Sequence, residues 1–199
     1  MRTLTLLLLA FIVVKTSAAQ DITKIKKFYN KEFNWTINIP PNFDTVSAQE
    51  WAKLHNKGTE AYEKTYNHNI KTNEATVLFA LKNGTSNIFT ALSEPFDSKR
   101  EGSYTKFCKK VDDELYHTLT TQLPHATIDS AIVKTLISNL NFNVFILRAH
   151  LSNGLYYSIY SFSRLFGQKE FSVNIMFIDN IKGDIMLDAW KRSTFGSQH

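Results

Sequence analysis

The chain is poor in cysteine, glycine and proline. Cys108 is the only cysteine in 199 residues. No internal disulfide can form, so packing alone has to hold the fold together. There are only 7 Gly and 4 Pro. Their scarcity excludes linkers, low-complexity tracts and Gly-rich arrays. No repeat, phosphate-cradling Gly-rich loop, GxSxG elbow or nucleic-acid motif occurs. No close His/Cys cluster occurs either, which leaves no ready-made metal site. Charge of one sign is also in short supply. The formal net charge is +5, with 23 basic and 18 acidic residues. That mild balance does not point to a nucleic-acid partner.

Two things are abundant. The first is an apolar leader. Arg2 supplies a positive charge, Leu4 to Val14 is an almost unbroken apolar run, and Lys15-Thr16-Ser17-Ala18-Ala19 ends in small residues. This is the pattern of a cleavable export signal over residues 1–19. Cleavage is expected after about Ala19, with Ala18 as the adjacent alternative. The run falls short of the roughly 20 apolar residues that a stable span needs. No cysteine sits at the boundary to carry a lipid. The expected product has no membrane span and is periplasmic or secreted. A lone cysteine in an exported chain favours a bacterial periplasm over a disulfide-rich animal secretion. Removing Arg2 and Lys15 lowers the net charge by two. Lys24, Lys26, Lys27 and Lys31 then read as a solvated, frayed terminus.

The second abundance is aromatic: 15 Phe, 8 Tyr and 3 Trp. With 43% hydrophobic residues, the chain has ample material for a core. Phe33, Trp35, Ile37 and Ile39 alternate with Asn34, Thr36 and Asn38, which predicts a half-buried strand stopped by Pro40-Pro41. Ser47 and Glu50 form a capping box, and Trp51, Leu54, Gly58, Ala61, Tyr62 and Thr65 follow at helical spacing. Ala75 to Lys82 and Asn87 to Pro95 flank an Asn83-Gly84 turn, a hairpin. Phe107, Val111, Leu115 and Leu119 mark a second helix that ends at Pro124. Lys109, Lys110, Asp112, Asp113 and Glu114 read as its wet side. Four strand segments follow: Thr127 to Ser138, Asn141 to Ser152, Leu155 to Leu165 and Lys169 to Ile178. A terminal helix closes the chain, with Ile185, Met186, Ala189 and Trp190 read as turned inward. Short connections between neighbouring strands favour antiparallel pairing. The prediction is an α+β domain over residues 26–196, with about six antiparallel strands covered by helices.

Candidate chemistry is thin. Cys108 has Lys106, Lys109 and Lys110 nearby, which would activate a thiol if they surrounded it. Its place beside an apolar stripe favours a small buried hydrophobe instead. Asp113 and His117 stand i,i+4 and could pair. The remaining histidines, His55, His68, His125, His150 and His199, are scattered. Asp184 and Asp188 are also i,i+4, but near a helix start the dipole explains them. Arg148 and His150 share a strand face, and with Arg164 they could form a polar patch at one end of the sheet. That patch is the best ligand-facing candidate. No residue is assigned as catalytic, cofactor-binding or metal-binding.

Several stretches resemble the PsbP-like and DcrB-like fold family. They are Trp35-Thr36-Ile37-Asn38-Ile39-Pro40, the helix containing Trp51 and Gly58, and the closing Trp190-Lys191-Arg192-Ser193-Thr194-Phe195. The resemblance implies an αβα sandwich that serves as a binding and assembly scaffold, not an enzyme. The expectation is an exported, non-catalytic module without cofactor, whose partner is an envelope or extracellular protein. The alternatives are an envelope hydrolase and a small-ligand or metal carrier.

Overall fold

The computed structural model describes residues 27–67 and 75–196. The expected leader 1–19, Lys24, Lys26, His68 and His199 lie outside the described residues.

The first element differs from the expected frayed terminus. Lys27–Asn30 is a strand, β1, paired antiparallel with β2, Trp35–Asn38. Asn34 is not inside a strand: at φ +46° it closes the turn between them. Asparagine is one of the few residues that tolerates this left-handed backbone. The alternation that marks β2 does hold. Phe33, Trp35 and Ile37 are buried, and Asn38 is exposed.

A short strand β3, Asp44–Thr45, precedes helix α1, Ala48–Tyr66. The capping box forms at α1: Ser47 Oγ accepts from the Glu50 N–H, and the Glu50 carboxylate accepts from the Ser47 N–H. Two of the helix's orphan donors are thereby satisfied. The hairpin β4, Thr76–Lys82, and β5, Ile88–Pro95, turns at Gly84 with φ +72°. The single turn α2, Ser98–Glu101, leads into α3, Tyr104–Gln122. Then come β6, Thr127–Ile137, β7, Leu140–His150, β8, Tyr156–Phe166, and β9, Lys169–Phe177. Helix α4, Asn180–Lys191, and β10, Thr194–Phe195, end the described chain.

The strands form a seven-stranded antiparallel sheet, ordered β3-β4-β5-β9-β8-β7-β6, and a three-stranded sheet, β1-β2-β10. The large sheet is covered on both faces. One face carries Phe89, Ala91, Phe142, Val144, Phe162, Phe171, Val173 and Ile175. It packs against Trp35, Ile37 and Phe195 of the small sheet and Met186 and Trp190 of α4. The other face carries Ile88, Phe145, Leu147, Ala149, Ile159 and Met176, under Tyr62 of α1 and Leu119 of α3. The architecture is therefore layered α+β, with one sheet more than expected.

In α4 the inward stripe is Met186, Leu187 and Trp190, whereas Ile185 is 37% exposed. The helix begins at Asn180, with Asp179 as its cap. Trp190 packs on Trp35 and Phe171 and fixes the inner side of α4, and Ile185, five residues earlier, lies about 140° round the helix from it. The other adjustment is larger. Helix α3 connects β5, near the middle of the sheet, to β6 at its far edge. It therefore crosses the strands between them, over a patch of serine and asparagine side chains at one end of the face it covers, and that crossing creates the cleft described next.

Candidate functional site

The strands β8 and β9 alternate apolar residues with Ser161, Ser163, Ser172 and Asn174. Such a pattern reads as one solvated face. In the structure α3 lies over that face. Asn143, Ser163 and Ser172 stand side by side across β7, β8 and β9, and Ser161 stands opposite Asn174. Together with Cys108 and Asp112 from α3, they line a cleft of about 80 Å³. That volume holds a few waters, well short of a metabolite-sized pocket.

The polar groups in the cleft engage one another. Ser161 Oγ donates to Asn174 Oδ1 at 2.8 Å. Asn143 Nδ2 donates to Cys108 Sγ at 3.7 Å, and Ser163 Oγ lies 3.8 Å from the same sulfur. Tyr104 OH donates to Glu170 Oε1 at 3.0 Å. Glu94 faces Glu170 directly across β5 and β9. Burial, reinforced by Glu170, pushes the Cys108 thiol up to about 11. Lys106, Lys109 and Lys110 are exposed, and Lys109 and Lys110 pair with Asp113 and Glu114. The lysines therefore do not activate the sulfur. Its contacts Ser163 and Asn143 are neutral, and the nearby carboxylates of Glu170 and Asp112 raise the thiol instead of activating it.

Asp112 departs from the expected wet side. It is half-buried in the cleft, and desolvation pushes its carboxyl up to about 7, with Asp113 adding to the rise. Glu114 is half-buried as well, and burial raises it. Their sequence neighbours are charged, which is the pattern of an exposed helix face, but the strands beneath α3 carry polar side chains that Asp112 meets in the cleft.

The fold is now comparable with known proteins. No protein-family model matches the chain, and no curated protein sequence matches it. The solution structure of cyanobacterial PsbP (CyanoP) from Synechocystis does. The match has a TM-score of 0.55 and 6% identity, over 92% of this chain and 99% of that one. The fold is PsbP-like. A crystal structure from Bacteroides thetaiotaomicron is matched at 10% identity and a TM-score of 0.41, over 87% of this chain and 49% of that one. The present chain thus spans about half of that protein. At such identities the likeness concerns the fold, and function has to be argued from sites.

On this PsbP-like scaffold the other sequence candidates separate. Arg148 donates to Tyr160 OH at 2.9 Å, and His150 stacks on Tyr156 with centroids 4.5 Å apart. Arg164 does not join them. Its partner is the Asn141 carbonyl, at 2.7 Å, and it lies over the Phe166 ring. The antiparallel register sets Arg148 opposite Ser158, six residues along β8 from Arg164. At about 3.3 Å per residue that is roughly 20 Å. Asp113 pairs with Lys109 at 2.7 Å, while His117 meets the Tyr66 ring, so Asp113 and His117 make separate contacts. Asp184 and Asp188 are exposed, and Asp188 pairs with Arg192. Among the described residues, no three His, Cys, Asp or Glu side chains stand close enough to hold a metal ion. No described helix is long and apolar enough to cross a membrane.

Sequence reasoning missed the most exposed feature of the PsbP-like sheet. Strand β6 is eleven residues long, and among the described residues it pairs with β7 alone. Ile132 is 62%, Val133 44% and Leu136 63% exposed. Periodicity marks β6 as a strand. Its position at the edge depends on sheet order, which no local pattern carries.

Proposed function

We propose that this chain is an exported, non-catalytic binding and assembly module that engages protein through the β6 edge of its sheet. The observation that carries this reading is the outer edge of β6, unpaired among the described residues, with Ile132 and Leu136 exposed on one face and Val133 on the other. An open edge presents a row of backbone donors and acceptors, and proteins usually shorten it, charge it or cover it. Here only Asp129 and Lys134 interrupt eleven residues. Strand addition uses such an edge directly: main-chain hydrogen bonds supply affinity, and alternate side chains supply specificity. The small volume of the cleft under α3, about 80 Å³, and the raised thiol of Cys108 support a non-catalytic role. The leader pattern of residues 1–19 supports work outside the cytoplasm, in a periplasm or extracellular space.

Site-specific photocrosslinking in cells tests the assembly part. A crosslinker at Ile132 or Leu136 is expected to give protein adducts, and one at exposed Asp184 is not. Absence of adducts at both β6 positions overturns the reading. N-terminal sequencing of the cell-fractionated protein tests the export part. A start near Gln20 outside the cytoplasm supports it, and an intact Met1 in the cytoplasm rejects it.

A second reading has one observation behind it. The cleft beneath α3 gathers Asp112, Asn143, Ser163 and Ser172, which would suit a very small polar ligand. Native mass spectrometry of the purified protein decides it: a mass equal to the bare chain removes it.

A further inference from the structure

The proposed use of the β6 edge leaves its occupant unnamed, and the side-chain pattern of β6 narrows it. We infer that the occupant is the β6 strand of a second copy, paired antiparallel about a twofold axis at Ile132. This inference rests on the edge being an assembly surface, and it goes further by naming the partner and the register.

The argument begins with the faces of the strand. In register with β7, the residues Ile128, Ser130, Ile132, Lys134 and Leu136 share the face of Phe145 and Leu147, on which α1 and α3 pack. Thr127, Asp129, Ala131, Val133, Thr135 and Ile137 share the opposite one. Antiparallel pairing of two identical edges uses a twofold axis normal to the sheet. Such an axis keeps each face on its own side. A residue can therefore meet only residues of its own set, and the axis must pass through a residue, not between two.

Three central registers satisfy that rule, and they are not equivalent. An axis at Ala131 sets Lys134 against Ile128 and Asp129 against Val133. An axis at Val133 sets Lys134 against Ile132 and Asp129 against Ile137. Both bury a charge against an aliphatic side chain. An axis at Ile132 behaves differently. Ile132 meets its own copy, Ile128 meets Leu136, and Ala131 meets Val133. Lys134 meets Ser130, and Asp129 meets Thr135. Apolar meets apolar at the centre, and each charge meets a hydroxyl. The two Lys134 side chains sit four residues apart along the seam, roughly 13 Å at strand spacing. That exceeds the roughly 8–10 Å screening length at ordinary ionic strength. Exposed Ile132, Val133 and Leu136 all find aliphatic partners in this register alone. Cross-strand pairs of this kind are the unit of sheet stabilisation. The dimer would join two seven-stranded sheets into one continuous sheet.

Sedimentation equilibrium of the purified mature chain over a concentration series is the test, with three variants at exposed positions. The chain is expected to dimerise reversibly. Ile132→Lys places two like charges on the axis and should weaken the dimer roughly tenfold or more. Ser130→Glu faces the partner copy's lysine twice and should tighten it several-fold. Ser130→Lys should loosen it by a similar factor. Circular dichroism confirms that each variant is folded. A monomer at every concentration overturns the proposal, as does a shift of the same sign for Ser130→Glu and Ser130→Lys. If the chain is monomeric while the Ile132 crosslinker still captures another protein in cells, the second copy is rejected and the edge-binding reading stands. If neither occurs, both fall.

Discussion

Trp190 of α4 meets Trp35 of β2 edge to face, with ring centroids 6.0 Å apart. Both side chains are fully buried. Phe171 of the large sheet touches both rings, at 6.1 Å from Trp190 and 4.9 Å from Trp35. Three separate elements therefore converge on one aromatic cluster. Burial and ring geometry both contribute to its strength.

The first prediction concerns this cluster. Trp190→Ala is expected to cost about 3–5 kcal/mol, the usual range for emptying a large aromatic site. Trp190→Phe is expected to cost only about 1–2 kcal/mol. The indole Nε1 has no hydrogen-bond partner among the described residues, so phenylalanine removes volume without orphaning an acceptor. Urea unfolding of the two variants measures both values. Equal losses would show that the indole nitrogen matters.

Gly183 sits in the first turn of α4, where alanine would ordinarily improve the helix by about 1 kcal/mol. A Cβ there would stand 2.5 Å from the Phe177 ring. Phe177 is buried in the core and stacks on Tyr160, so moving its ring disturbs other contacts. Overpacking, at about 1–3 kcal/mol, therefore outweighs propensity. Gly183→Ala should lower the melting temperature, and a rise would refute the close approach.

Asp112 links stability to pH. Its carboxyl is pushed up from an ordinary 3.8 to about 7 by burial. The folded chain thus holds a proton that the unfolded chain has already lost between those values. The stability associated with the neutral carboxyl is complete below about pH 4 and is lost as pH rises through 7. Asp112→Asn keeps the shape without the charge. The variant should match the parent near pH 4 and exceed it at pH 8 by on the order of 2 kcal/mol, a figure reduced for partial exposure. Denaturant titrations at the two pH values check the sign. A variant less stable at pH 8 would mean that the carboxylate is bound to something.

Cys108 should be a poor nucleophile. Its thiol is pushed up from an ordinary 9.0 to about 11. The thiolate fraction at pH 8 then falls roughly 100-fold. Labelling of the native chain with a thiol reagent should be slower than labelling of the unfolded chain by at least that factor. Comparable rates would restore the case for a reactive site.

Much of the fold was legible locally. The capping box at Ser47 and Glu50, the Asn83-Gly84 turn and the alternation of Phe171 to Phe177 each carry their own short-range signal. Burial of Trp35 followed from period two. What local pattern could not carry was relative placement. Asp112 looked solvated because its neighbours in sequence are charged, but α3 crosses a row of serines and asparagines. Arg148 and Arg164 looked like one patch, but antiparallel register set them at opposite ends. Ile185 faces outward because the packing of Trp190 on Trp35 and Phe171, a tertiary contact, fixes which side of α4 turns inward.

The sequence by itself determined the longer elements and their order, the lack of disulfides and the aromatic core, because these follow from spacing, turn chemistry and residue counts; β1, β3, α2 and β10 carried too short a pattern to be read. Tertiary structure alone decided that β6 is an edge and that α3 covers polar strands. Both depend on which strands pair across long separations. Hydrogen bonding between strands is the same for any sequence, so only the packing of the whole sheet selects its order.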